Sequence, residues 1–195
     1  MSFGSHANCD LKCPHKRRAW QTFAVVSISL IAPRAAGEPI VRPAGLAPGD
    51  TIMIIAPAGE ANLESVEVGR ARLEKAGFHV VVPETIGRQR GYLSGSDEQR
   101  AAELVTAFAD ARIDAIFCFT GGYGTTRMLD LIDYKVVANN PKVFVGFSDI
   151  TGLHLALAAK CNFITFHGPN IDSFFETAPP SHRYRSLYLW RNVLQ

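Results

Sequence analysis

An excess of charge of either sign is missing. Twenty Lys and Arg stand against 18 Asp and Glu in 195 residues, a formal net charge of +2. The basic residues are spread along the chain and form no stripe that could track a phosphate backbone, so no nucleic-acid partner is expected. Cysteine is scarce. Cys9 and Cys13 lie near the start and Cys118 and Cys161 in apolar runs, which is not the dense framework of a disulfide-stapled secreted domain. Cys118 and Cys161 read as small buried hydrophobes. The apolar stretch from Phe23 to Ala32 is too short for a stable membrane span, and neither internal repeats nor low-complexity tracts are present. His6, Cys9, Cys13 and His15 bring four metal-ligand types within ten residues, but the spacing lacks the long intervening loop of a zinc knuckle, and no metal is expected. What the chain does have is apolar mass: at 47% hydrophobic and 19% charged it can bury a core, which excludes disorder and predicts one domain of ordinary size plus extras.

The first extra is a leader. Lys16-Arg17-Arg18, the apolar stretch Phe23 to Ala32, Pro33 and the small residues Ala35-Ala36-Gly37 resemble a twin-arginine export signal, with cleavage expected after Gly37. Arg34 close to the cut and Ala19-Trp20-Gln21 after the arginines depart from that pattern, and a start codon set upstream of the real domain is the alternative. A periplasmic location in a bacterium follows from the first reading and a cytoplasmic one from the second. The leader is taken as residues 1–42, the folded domain as 43–170, and 171–195 as a linker or the start of a further domain.

From residue 43 the pattern alternates. Thr51 to Ala58 is a continuous apolar run between Pro48-Gly49-Asp50 and Gly59, as expected of a strand buried on both faces. Helical spacing over Leu63 to Ala76 ends at Gly77, and His79 to Pro83 is the second strand. Ser96-Asp97-Glu98-Gln99 is a capping box that opens a helix running to about Ala111. Further strands are predicted at Ala115–Thr120, Lys142–Phe147 and Phe163–Phe166, with helices near 124–132 and 150–159. This β-α alternation predicts an α/β domain, doubly wound around a mainly parallel sheet.

In such a sheet, sites form beyond the carboxyl ends of the strands. The third strand ends in Thr120-Gly121-Gly122-Tyr123-Gly124, where glycines let the backbone turn sharply and aim N–H groups into the crevice. The fourth ends in Gly146-Phe147-Ser148-Asp149, directly before a helix. A serine two residues after a glycine, between a buried strand and a helix, has the layout of a nucleophile elbow. It departs from the familiar G-x-S-x-G in having Thr151 before Gly152. In that layout the Asp149 N–H and an N–H of the Gly121-Gly122 turn could stabilise an oxyanion. An N-cap role for Ser148 in the helix opening at Ile150 fits the same layout.

The string from Cys118 to Pro169 resembles the LD-carboxypeptidases and related microcin-immunity hydrolases. The resemblance rests on Gly121-Gly122-Tyr123-Gly124 with Arg127, Asn140-Pro141-Lys142, Gly146-Phe147-Ser148-Asp149-Ile150-Thr151 with Leu153-His154, and Phe166-His167-Gly168-Pro169. Leu46 to Gly59 resembles the opening βα unit of the same family, so the likeness covers about residues 43–170. It implies a flavodoxin-like, or class I glutamine-amidotransferase-like, N-terminal domain of a serine hydrolase. That hydrolase cleaves an L-to-D amide, releases D-alanine from a murein tetrapeptide, and needs no metal, nucleotide or other cofactor. Carried over by position, Ser148 is the nucleophile, Gly122 and Asp149 donate backbone N–H groups to the oxyanion, and Tyr123 and Arg127 line the glycine turn. Thr120 stands where many members have arginine, which removes a contact to a substrate carboxylate.

The resemblance also places the catalytic histidine and its glutamate in a second, C-terminal domain, which the sequence up to Gln195 does not carry. A truncated, inactive half is therefore expected, with a sticky exposed face and homodimer formation as a consequence. Of the local histidines, His154 should be turned to packing or the helix surface, while His167 ends the fifth strand beside the crevice and is the better substitute base. Glu64, Glu67, Glu74, Asp130 and Asp133 read as solvated positions. The runner-up reading is a non-catalytic peptide- or nucleotide-binding domain, although Ala56-Pro57-Ala58-Gly59-Glu60 lacks the G-x-G-x-x-G that would cradle a pyrophosphate.

Overall fold

The computed structural model describes residues 39–174. The export-signal-like leader with its cleavage position, the His6/Cys9/Cys13/His15 group and the segment from 175 onward lie outside the described residues. Five strands, β1 (Thr51–Ile55), β2 (His79–Val81), β3 (Ala115–Cys118), β4 (Val143–Gly146) and β5 (Phe166–His167), form one sheet in the order β2-β1-β3-β4-β5 with every pairing parallel. The order reverses direction between β1 and β3, the switch point at which sheets of this kind bind ligands beyond the carboxyl ends of their strands.

The apolar runs predict these strands because a sheet covered on both sides needs side chains of one kind on both faces. Period-two alternation then deals them out. Met53, Ile55, Ile116, Cys118 and Phe144 enter one core, and Ile52, Ile54, Ala115, Phe117, Val143 and Val145 enter the other. The first core also takes up α2 (Asp97–Ala109) and α5 (Thr151–Cys161), with the short helices α3 (Thr125–Met128) and α4 (Tyr134–Ala138) alongside. Phe108 of α2 is its centre, with ring centroids 5.9 Å from Phe144 and 5.7 Å from Phe163. The second core is closed by α1 (Leu63–Lys75) and by Ile171 at the start of α6 (Ile171–Phe174). Cys118 and Cys161 are both buried and unpaired, and no helix among the described residues is long and apolar enough to cross a membrane.

Local signals set the helix ends. Asn62 caps α1 by accepting the Ser65 N–H at 2.9 Å. At α2 the capping box forms in both directions: Ser96 Oγ accepts from Gln99 N, and Gln99 Oε1 accepts from Ser96 N. Each bond satisfies a donor that the first helical turn leaves without a partner.

Two elements differ from expectation. The fifth strand is not 163–166 but Phe166–His167, because pairing runs from Val145 to Phe166 and from Gly146 to His167. Phe163 instead makes an isolated parallel bridge with Val41, tying the entering chain to the segment just before β5. Residues 134–138, where the sequence pattern predicts no element, form α4, with Asp133 accepting from the N–H groups of Lys135 and Val136.

After β5 the chain does not leave the fold at once. Gly168 N donates to Gly146 O at 3.1 Å, and Asp172 N donates to Phe119 O at 3.0 Å. Ile171 then inserts against Gly69 of α1, so closely that a Cβ at position 69 would overlap the Ile171 Cγ2 methyl. Gly69→Ala should therefore lower stability. The gain of about 0.5–1 kcal/mol from helix propensity is outweighed by overpacking of about 1–3 kcal/mol, whereas Val68→Ala on the exposed neighbour should stay within about 0.5 kcal/mol. Urea denaturation of the two variants checks the difference.

Candidate functional site

Ser148 stands two residues beyond the end of β4 and opens a single 3-10 turn, Ser148–Ile150, that runs into α5. Its backbone has φ +65°, one of two positive values among the described non-glycine residues. This left-handed conformation costs an L-residue about 1–2 kcal/mol and persists only where the surroundings enforce it. The N-cap reading of Ser148 does not match the structure. A cap residue has extended φ/ψ, and α5 opens on Ile150 with no side-chain cap bond.

The glycine turn after β3 lies against this serine. A Cβ built on Gly121 would stand 2.9 Å from Ser148 Cβ and 3.2 Å from its Oγ, so only glycine allows the two loops to touch. Gly122 has φ +111°, a region in which L side chains are rare. Gly121 O accepts the Gly59 N–H at 2.9 Å, which ties the turn to the loop after β1. Asp149 anchors the other side: its carboxylate accepts the Thr125 N–H at 2.8 Å, and its carbonyl accepts the Thr125 hydroxyl at 2.6 Å. The structure thus brings Ser148 and Asp149 against the turn that carries Gly121 and Gly122, at the carboxyl end of the sheet.

Tyr123 and Arg127 border the same turn. Tyr123 is 55% and Tyr92 56% exposed, and their ring centroids lie 6.1 Å apart with the planes tilted by 51°. Arg127 donates to Asp97 Oδ2 at 2.9 and 3.1 Å. Asp97, legible in the sequence only as part of a cap, is also ion-paired with Arg100. Arg100 is the residue that sequence reasoning missed. Only 2% exposed, it donates to Pro57 O at 2.6 Å and Gly124 O at 3.0 Å, so one buried guanidinium joins the β1 loop to the end of the glycine turn. Thr120, in place of an arginine, donates to Asp172 Oδ2 at 2.6 Å.

His154 is committed to packing. Its Nε2 lies 2.8 Å from Gly146 O and its Nδ1 2.8 Å from Thr165 Oγ1. A carbonyl can only accept, so Nε2 carries the proton and Nδ1 accepts from the threonine, the neutral tautomer. Burial pushes its pKa below the ordinary value, opposed by the Gly146 carbonyl and aided by nearby His167. His167 is exposed, its ring 5.8 Å from that of His154 and edge-on to Phe147 at 6.3 Å. Among the described residues no histidine hydrogen-bonds Ser148, and no group of three or more His, Cys, Asp or Glu is placed to hold a metal.

Residues 52–168 match the model of the LD-carboxypeptidase N-terminal domain. The chain belongs to the LD-carboxypeptidase family. A Streptomyces coelicolor protein, provisionally named a carboxypeptidase, is 45% identical over 134 residues, covering 67% of this chain and 43% of the relative. A Bacillus subtilis protein named as a probable murein peptide carboxypeptidase is 37% identical over 132 residues, covering 68% of this chain and 41% of its own length. Among solved structures, the microcin C7 self-immunity protein MccF in complex with aspartyl sulfamoyl adenosine superposes with a TM-score of 0.73 at 28% identity, over 80% of this chain and 47% of that one. The chain spans less than half the length of these relatives. The five-stranded parallel sheet is that of the LD-carboxypeptidase fold.

Two outcomes follow from the buried groups. Arg100→Leu leaves two carbonyls and part of Asp97 without their donor and should cost about 3 kcal/mol in chemical denaturation. For His154 the folded imidazole takes up a proton less readily than the unfolded one, whose ordinary value is 6.5. Its contribution to stability is therefore complete above that value and is lost as pH falls below it. Urea midpoints at pH 7.5 and 5.5 should show a larger acid loss for the parent than for His154→Gln.

Proposed function

We propose that this domain supplies the nucleophile of a serine-type LD-carboxypeptidase that releases terminal D-alanine from murein tetrapeptides. The observation that carries the reading is the φ of +65° at Ser148, enforced between β4 and α5 with Gly121 packed against its side chain. Strain of this kind collects where a side chain must be presented to a ligand, and a strand-to-helix serine in that conformation lifts its hydroxyl clear of the sheet. The murein peptide carboxypeptidase name of the Bacillus subtilis relative supports the substrate class.

In the proposed reaction Ser148 Oγ attacks the carbonyl of the L-to-D amide and its proton passes to a general base. The tetrahedral oxyanion is held by the N–H groups of Gly122 and Asp149, D-alanine leaves as the protonated amine, and water hydrolyses the acyl-serine. Tyr123 and Arg127 flank the bound peptide. The base is not His154, whose two nitrogens are occupied. The family resemblance assigns that role to a histidine oriented by a glutamate in a second domain, outside residues 39–174, so turnover by the present residues depends on that group or, failing it, on exposed His167.

A second substrate class is favoured by the likeness to MccF, solved with aspartyl sulfamoyl adenosine: an aminoacyl group joined to a nucleoside. Both substrates use the same nucleophile and differ in the leaving group.

The test combines labelling and turnover. A fluorophosphonate should form one adduct on Ser148 of the purified chain and none on Ser148→Ala. Where His167 or a supplied second-domain base supports turnover, D-alanine release from murein tetrapeptide should fall by at least about 10³-fold in that variant. Faster cleavage of an aminoacyl sulfamoyl adenosine than of the tetrapeptide would move the reading to the second class. An adduct elsewhere, or equal and measurable release by both proteins, would sink it.

A further inference from the structure

We propose that Asn170 is a positioning residue for Ser148, holding the backbone of the elbow in the left-handed conformation that presents the hydroxyl; this rests on the reading of Ser148 as nucleophile. Nothing in the motif pattern singles Asn170 out, since it follows Gly168-Pro169 where regular structure fades. In the structure it is only 2% exposed and lies under the loop that carries Ser148. Its Oδ1 accepts the Phe147 N–H at 2.9 Å, and its Nδ2 lies 3.5 Å from Phe147 O, so one amide faces both polar groups of the residue before the serine. Phe147 is extended, with φ −149° and ψ −177°, and the chain must pass from there to φ +65° in one step. The Asn170 amide fixes the first half of that step.

The contact works because Asn170 is itself fixed. On one side Gly168 N is bonded to Gly146 O; on the other Asp172 N is bonded to Phe119 O and the Asp172 carboxylate accepts from Thr120. Between them Ile171 is buried against Gly69. The segment 168–172 therefore runs as a strap across the carboxyl ends of β3 and β4. It contacts the loop before the glycine turn through Asp172 and the elbow through Asn170. Gly146 completes the fit: a Cβ there would stand 3.2 Å from Asn170 Oδ1 and 2.8 Å from Ile150 Cγ2. A buried amide oxygen that accepts a backbone N–H resists displacement, because moving it takes the acceptor from a donor shielded from water.

The test uses the full chain and two independent readouts. In the first, amide hydrogen exchange is followed by NMR for the parent, Asn170→Ala and Asn170→Asp. Loss of the acceptor should speed exchange of the Phe147 amide at least about tenfold in Asn170→Ala while the amides of β1 and β3 keep their protection. Asn170→Asp retains an acceptor oxygen and should keep the Phe147 amide protected. In the second, Ser148 is titrated with a fluorophosphonate, where the serine oxygen bonds to phosphorus, fluoride leaves and the proton goes to solvent. Asn170→Ala should lower the maximal labelling rate about tenfold or more and leave the half-saturating probe concentration unchanged. A merely structural role would instead raise exchange evenly along β3, β4 and α5. That result, or an unchanged Phe147 amide, or an unaltered labelling rate in folded Asn170→Ala, would overturn the proposal. Failure of the parent to be labelled at Ser148 would overturn it together with the nucleophile reading, whereas labelling of the parent with no response in Asn170→Ala removes the positioning role alone.

Discussion

The structure around the crevice is organised by one backbone constraint, the left-handed φ at Ser148. An L-residue does not hold that conformation unaided, at a cost of about 1–2 kcal/mol, so its surroundings must leave no alternative. Each neighbour removes one. Gly121 lies so close to the serine Cβ that no side chain fits between the two loops. Asn170 holds the preceding peptide extended. Behind the serine, Asp149 is fastened to Thr125 through side chain and backbone, so the 3-10 turn that starts α5 cannot unwind toward an ordinary helical entry. The local cost is offset by ordinary burial in the two cores on either face of the sheet, which fixes β3 and β4 and hence the loops that follow them.

That arrangement explains which parts of the domain were legible in the sequence. β1, β3 and β4 read correctly because strands covered on both faces carry unbroken apolar runs, and the α2 capping box was legible because its two partners are three residues apart. The Phe163–Phe166 run misled because its composition is right for a strand while its register depends on where β4 ends. The strand forms where Phe166 meets Val145, and Phe163 turns to Val41 instead. Ser148 could be found from the glycine, strand and helix around it. Asn170 and Arg100 could not, since their partners lie 23 residues away for the first and 43 and 24 for the second. A single asparagine or arginine in a sequence does not say which distant carbonyl it will meet.

Arg100 also bears on why a charge is buried beside the site. A buried guanidinium is costly to desolvate and is tolerated when its donors are matched. Here two go to carbonyls of different loops and one to Asp97, although Nε finds no partner among the described residues. A hydrophobic side chain of similar volume could fill the space but could not hold the carbonyls of Pro57 and Gly124 in one place. Because Asp97 then extends the pairing to Arg127 at the rim, the glycine turn is tied from its inner and outer sides to the same helix terminus. The N-terminal turn of α2 suits this role. Its capping box already fixes the backbone, so Asp97 and Arg100 project from a segment that does not fray.

The two fastenings act on different partners of the proposed reaction. The strap through Asn170 and Asp172 sets the elbow and the residues just before the glycine turn, while Arg100 sets the end of that turn. An oxyanion site made of one N–H from each loop has a useful geometry only if both loops keep their separation to a fraction of an ångström. Direct contact between Gly121 and Ser148 limits how near the loops can come. The Thr125–Asp149 bonds limit how far apart they can move, since Thr125 directly follows the glycine turn and Asp149 directly follows the serine. The glycine that permits the approach and the hydrogen bonds that prevent retreat together define one spacing, and the motifs that carry the family resemblance hold the glycine and Asp149 but not Thr125, the partner that completes it.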